Sequence, residues 1–159
     1  MSGHICVVTT LHLNRSKAEV LPFIWDIKNI EYCEVKADDV QVNRETERTG
    51  TYTIHGHFAR FIPWTRKFKY ELHDRGFHSK EAGFPPSELD IQGGFFVEAT
   101  SEQECEIIHY EQYTLPLKFR LLQPFIVIYL KWSQLKEMAD LKRLISSKTG
   151  RVSTLPEAI

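Results

Sequence analysis

From Val40 to Leu115 the side chains keep a period of two, and the pattern then changes once, into a single long helical stretch. That order constrains the fold more than any other feature of the chain. "TYTIHGHFA" sets Tyr52, Ile54 and Phe58 on one face against Thr51, Thr53, His55 and His57 on the other. "WTRKFKYELH" repeats the device, with Trp64, Phe68, Tyr70 and Leu72 opposed to Lys67, Lys69, Glu71 and His73. "DVQVNRET", "RGFHSKEA", "FFVEAT" and "CEIIHYEQYTLP" read as further strands, with turns at "RTG" and "SEQE" and a loop in "AGFPPSELDIQGG". Consecutive strands joined by short turns pair antiparallel. A sheet this long twists and curls.

Before this run, "HICVVTTLHLN" reads as a strand rich in β-branched residues. Asn14 or Ser16 then offers a helix cap, and Glu19 stands three residues after Ser16, as in a capping box. The helix runs through "KAEVLPFIWDI", where Pro22 is expected to bend or divide it, and a short helical turn follows near "NIEYCEV". After the strands comes a helix over roughly 117–147. Leu121, Phe125, Ile128, Trp132, Leu135 and Ala139 fall within an arc of roughly 80° on it. That stripe predicts packing against the sheet, with the apolar positions shifting past Ala139 to Met138, Leu141 and Ile145, and a cost of roughly 3–5 kcal/mol for Phe125→Ala if the ring is buried. Pro124 predicts a kink near residue 120. The reading is therefore one α+β domain over 1–147, a curved antiparallel sheet on a long C-terminal helix, with a loosely held tail over 148–159.

The chain has 159 residues and a formal net charge of −1, so bulk charge offers nothing to nucleic acid. "WTRKFK" interleaves aromatic and basic residues, but strand alternation accounts for it, and no nucleic-acid partner is expected. Cys6, Cys33 and Cys105 are far apart and lack CxxC spacing, which suits reduced thiols in a cytoplasmic protein. The apolar run "LLQPFIVIYL" is too short to span a membrane, which takes roughly 20 residues. No G-x-S-x-G, P-loop or G-x-G-x-x-G precedes a helix.

The element order, the early "VLPFIWDIKNIEYC", the glycine opening a strand in "TGTYTIHG", "GGFF", and above all "QYTLPLKFRLLQPF…ADLKRLI" resemble the START-like, helix-grip superfamily. The resemblance is particularly to the branch of polyketide cyclase/dehydrase (SRPBCC) and small lipid-transport proteins. The resemblance implies a hydrophobic cavity between sheet and helix, and binding of a lipid, polyketide-like or isoprenoid compound. Tyr52, Ile54, Phe58, Phe68, Tyr70, Phe95, Tyr113, Phe125 and Tyr129 are expected on its wall. The alternative is an enzyme of the cyclase/dehydrase type. Many relatives place tryptophan and histidines in the strand after the "G-x-F" turn; this chain reads "FFVEATSEQE" there, so roles at those positions do not carry over.

If Tyr113 and Leu115 point inward, as the resemblance implies, then Cys105, Ile107, His109 and Glu111 do too. His109, Glu111 and Tyr113 then become the candidate catalytic set for proton transfer. The opposite alternation, with Ile108 and Tyr110 inward, is nearly as good on polarity. His55 and His57 in "HGH" share a strand face as metal ligands would, but they lie on the polar side and no third ligand is identifiable. Neither a metal nor a cofactor is expected. Lys118, Arg120, Lys131, Lys136, Lys142, Arg143, Lys148 and Arg151 gather late in the chain against Glu137 and Asp140, opening a third reading, contact with an anionic membrane or a protein partner, beside that of an ordinary solvated helix back.

Overall fold

The computed structural model describes residues 3–83 and 88–147; the expected tail over 148–159 and part of the "AGFPPSELDIQGG" loop lie outside them. Seven strands form one antiparallel sheet: β1 (Gly3–Leu13), β2 (Ala37–Arg44), β3 (Thr49–Phe58), β4 (Ile62–His73), β5 (Gly76–Glu81), β6 (Gln92–Ala99) and β7 (Cys105–Leu115). Their order is β1-β7-β6-β5-β4-β3-β2, so every hairpin from β2 to β7 pairs neighbours in sequence and β1 closes against β7. Between β1 and β2 lie helix α1 (Lys17–Trp25), a 3₁₀ turn (Ile27–Asn29) and helix α2 (Ile30–Cys33). After β7 come a 3₁₀ segment (Leu117–Leu122) and helix α3 (Gln123–Ser147).

The capping signal acts where it was read, and the two prolines act differently from expectation. Ser16 caps α1 through a complete capping box: its hydroxyl accepts from the Glu19 amide, and the Glu19 carboxylate accepts from the Ser16 amide at 2.9 Å. Pro22 does not divide the helix. It lies inside α1, which ends at Trp25, and Asp26 then caps the 3₁₀ turn. Pro124 does not kink a continuous helix either. The six residues before Gln123 are 3₁₀, so Pro124 stands in the first turn of α3, where its missing N–H removes no helical bond.

Up to Ala139 the face that α3 buries is opposite to the expected one. Leu130, Ser133, Gln134, Glu137, Met138, Leu141, Leu144 and Ile145 are buried, at the spacing of a single helix face. Leu121 is 91% exposed, Phe125 71%, Ile128 67%, Leu135 54% and Trp132 44%; Ala139 is exposed as well. The stripe from Leu121 to Ala139 thus lies about 180° from the packed face, whereas Met138, Leu141 and Ile145, the apolar positions expected past Ala139, are on the packed face. One physical reason is that Gln134 finds hydrogen-bond partners inside. Thr9 Oγ1 donates to Gln134 Oε1 at 2.7 Å, and Gln134 Nε2 donates to the Val7 carbonyl at 3.1 Å, which clips α3 to β1. The cost expected for Phe125→Ala changes accordingly: a solvated ring should leave the stability within about 0.5 kcal/mol of wild type in urea unfolding.

Candidate functional site

Strand β7 supplies one wall of the interior. Its alternation buries Cys105, Ile107, His109, Glu111, Tyr113 and Leu115, while Gln112 is exposed and Ile108 and Tyr110 are half-buried. The inward direction follows from position in the sheet. β7 lies between β1 and β6, with His109 opposite both Thr9 and Phe95. The imidazole stacks on the Phe95 ring with centroids 4.1 Å apart.

Around these residues the fold gathers groups from distant elements. Glu34 ends α2, Lys36 precedes β2, and Glu137 projects from α3. The Lys36 side chain is 2% exposed. Its ammonium lies 3.2 Å from Glu34 Oε1 and 3.4 Å from Glu111 Oε1. Tyr113 Oη donates to the other Glu111 oxygen at 3.0 Å. His109 Nε2 is 3.8 Å from Glu111 Oε1, and Nδ1 is 3.4 Å from Glu137 Oε2. Neither Nδ1 nor Glu137 Oε2 makes a hydrogen bond.

Lys36 enters the core because its backbone is held outside it. Its carbonyl accepts from the His57 amide at 3.1 Å and from Trp64 Nε1 at 3.0 Å. Gly56 lets the chains approach this closely: a Cβ there would lie 1.8 Å from that same carbonyl oxygen.

Burial sets the charge states. It drives the His109 pKa down to about 3, with Glu34 opposing, so the imidazole is neutral at pH 7. Burial also pulls Lys36 toward its neutral form, but Glu111 and Glu34 outweigh it and raise its pKa well above the usual lysine value. Glu137 is pushed well above the carboxylate range by burial and then by Glu34 and Glu111. Tyr113 is raised by burial and by Glu111. A neutral imidazole, a buried ammonium, a phenol and carboxyl groups within a few ångströms can hold a polar ligand group or pass a proton.

A cavity of about 50 Å³ opens onto this cluster. Tyr52, Ile54, Phe68 and Phe95 lie on its wall, together with His109, Glu111 and Tyr113. Phe58 and Tyr129 are not on it; they pack on each other at 4.7 Å beside the β3–β4 turn. Tyr70 is buried in the core away from it. Phe125 cannot line the cavity because its ring faces solvent. Lys36, Glu34 and Glu137 carried no sequence signal that marked them. The nearest to one was the spacing of Leu130, Gln134, Glu137 and Leu141, one turn apart on a single helix face. His55 and His57 pair outside, with Thr65 Oγ1 at 3.1 Å and Asp38 Oδ2 at 2.7 Å. Cys6, Cys33 and Cys105 are free thiols, and no helix among the described residues is long and apolar enough to cross a membrane.

No family model matches the sequence, and no curated protein matches it. Solved structures do. Zhui aromatase/cyclase from Streptomyces sp. R1128 superposes with a TM-score of 0.72 at 11% identity, over 93% of this chain and 99% of that one. Norcoclaurine synthase from Thalictrum flavum gives 0.69 at 14% identity, over 94% and 99%. A START superfamily protein from Mycobacterium smegmatis gives 0.70 at 8% identity, over 92% and 100%. A curved seven-stranded antiparallel sheet, two short helices after its first strand and a long C-terminal helix across it are thus the START-like, helix-grip fold, which this chain shares with those proteins.

Proposed function

We propose that the protein binds a compact, mainly apolar molecule between sheet and α3, with a carbonyl or hydroxyl group of that molecule set against Glu111, Tyr113, His109 and Lys36. The observation that carries this reading is the division of one cavity wall. Tyr52, Ile54, Phe68, Phe77 and Phe95 offer apolar surface, and the ionisable cluster faces them across the same space. The volume supports a ring-sized ligand over a long-chain lipid. About 50 Å³ holds little more than water, so even a compact ligand enters by parting side chains, and an acyl chain would have to part many more. Solved neighbours named as aromatase/cyclase and norcoclaurine synthase share the fold, which supports proton-transfer chemistry with His109, Glu111 and Tyr113 as the acid–base set.

Titration with an apolar fluorescent probe, displaced by small aromatic ketones and phenols, tests the binding step. One saturable site is expected. Glu111→Gln should weaken a ligand with a polar group by about 1–3 kcal/mol and leave a hydrocarbon of the same shape unaffected. Absence of saturable binding for every such compound rejects the reading. Where a ligand is turned over, His109→Ala should abolish turnover with binding nearly intact; equal losses in both would leave binding alone.

A second reading rests on the outside of α3. The exposed Leu121, Phe125, Ile128 and Trp132 form an apolar stripe beside Lys118, Arg120, Lys131 and Lys136. Ala59 N–H donates to Tyr129 Oη at 2.9 Å, which ties the β3–β4 turn to the helix and brings the exposed Phe61 and Ile62 near it. Apolar side chains rimmed by cations suit an anionic lipid surface, to which Lys118 and Lys136 would turn from Glu88 and Asp140, their partners at 2.9 Å and 2.8 Å. Co-sedimentation with phosphatidylserine vesicles should exceed that with phosphatidylcholine vesicles and fall with salt, each basic side chain near the surface being worth about 1 kcal/mol. Phe125→Ser with Trp132→Ser should abolish it. Equal behaviour on both vesicle types, or a dimer that the double variant dissolves, overturns the reading.

A further inference from the structure

We propose that His109, Glu111 and Glu137 form a site for one divalent transition-metal ion, zinc in the first instance, on the wall of the interior cavity. One ring nitrogen of His109 and one oxygen from each carboxylate lie within 4.8 Å of one another. Zinc holds such ligands at about 2.0–2.2 Å, so side-chain adjustments of up to about an ångström close the site. All three residues are buried, and all three line the cavity, which leaves a coordination position facing open space.

Two observations independent of that proximity point to an ion. The first is unmet bonding capacity. His109 is 3% exposed and Glu137 2%, yet His109 Nδ1 and Glu137 Oε2 face each other at 3.4 Å without a hydrogen bond. Buried polar atoms are rarely left so. The second is charge. Among the cavity-lining residues Glu34, Glu111 and Glu137 oppose one cation, Lys36. Three carboxyl groups against one ammonium crowd acidic groups into a buried volume, and a divalent ion that displaces the proton held on Glu137 brings the whole set to zero net charge. Lys36 does not have to leave: when an ion takes Glu111 Oε1, the ammonium keeps Glu34 at 3.2 Å.

Two of the three ligands are already oriented by neighbours, one by a hydrogen bond and one by ring stacking. Tyr113 donates to Glu111 Oε2 at 3.0 Å, and Phe95 fixes the plane of the imidazole. Imidazole with carboxylates suits zinc, iron or manganese; magnesium and calcium prefer all-oxygen sites with more ligands. The ion does not depend on the ligand reading above, since water can fill the open position.

The test uses the full chain stripped with a chelator. Calorimetric titration with zinc should show one equivalent bound, and cobalt should develop the visible ligand-field absorption of a low-coordinate site. Glu137→Gln keeps shape and removes one ligand. It should weaken zinc by about 100-fold or more, since loss of even an outer-shell partner costs 10–100-fold. His109→Gln serves in its place if that variant unfolds. His57→Asn, on the exposed face, should change nothing. The site is overturned by failure to take up a stoichiometric ion, or by uptake that survives in both Glu137→Gln and His109→Gln. Probe titration in chelator separates the two proposals: probe binding without zinc uptake rejects the metal site alone, and zinc uptake without probe binding rejects the ligand reading alone.

Discussion

Lys36→Met should destabilise the protein by about 3–5 kcal/mol at pH 7, the range for breaking a buried ion pair from one side. The methionine fills most of the lysine's volume, so packing is not the main loss. What remains is Glu34, Glu111 and Glu137, all buried, without the ammonium now 3.2 Å and 3.4 Å from the first two. Urea unfolding of wild type and variant gives the difference directly. Adding Glu34→Gln and Glu111→Gln to Lys36→Met should recover most of it, because the cost lies in carboxylates left unpaired and not in the missing amine. The pH dependence has a definite sign. The folded-state pKa of Lys36 is raised, so its stabilising contribution is complete below the unfolded lysine value of about 10.4 and is lost as pH rises through the folded value. A loss below about 1 kcal/mol, the scale of exposed pairs, would mean that Lys36 reaches solvent in the working protein.

Gly56→Ala should cost about 3 kcal/mol, the upper end of what overpacking usually costs. The added methyl would meet the Lys36 carbonyl oxygen at 1.8 Å and Ala37 Cα at 3.1 Å. Both are backbone, so no side chain can swing away, and β2 has to move off β3. The strain falls beside the register shift between Ala37 and Asp39, on the peptide that aims Lys36 inward. Thermal unfolding measures the cost. Gly83→Ala, where a Cβ meets nothing within 4 Å, is the control and should stay close to wild type. If Gly56→Ala is as mild as Gly83→Ala, β2 is free to shift and does not fix Lys36.

Strand β7 shows why the site was only half legible. Along "CEIIHYEQYTLP" both faces carry apolar and polar residues, so polarity could not choose between them. The choice comes from β1 and β6 on either side and from α3 across the face, none of which is local. The cavity wall shows the same limit. Tyr52, Ile54, Phe68 and Phe95 fall on it, each on a strand crossing the concave face. Phe125 does not, because its helix is turned the other way.

What the sequence determined by itself was whatever a few neighbouring residues decide: the alternation of β3 and β4, the capping box of Ser16 and Glu19, the turns that make each hairpin antiparallel, and the order of elements that leaves one helix to cross one sheet. What only the tertiary structure decided was which face of α3 is buried and where Lys36 goes. Hydrophobic periodicity assumes that the buried face is the apolar one. On α3 the buried face carries Ser133, Gln134 and Glu137, while a richer apolar stripe is exposed. Gln134 can be an interior residue because partners await it, as Lys36 can, and such partners are remote: Thr9 is 125 residues from Gln134, and Lys36 is 75 from Glu111. Burial of a polar group is a property of the pair, and the pair exists only once the chain has folded.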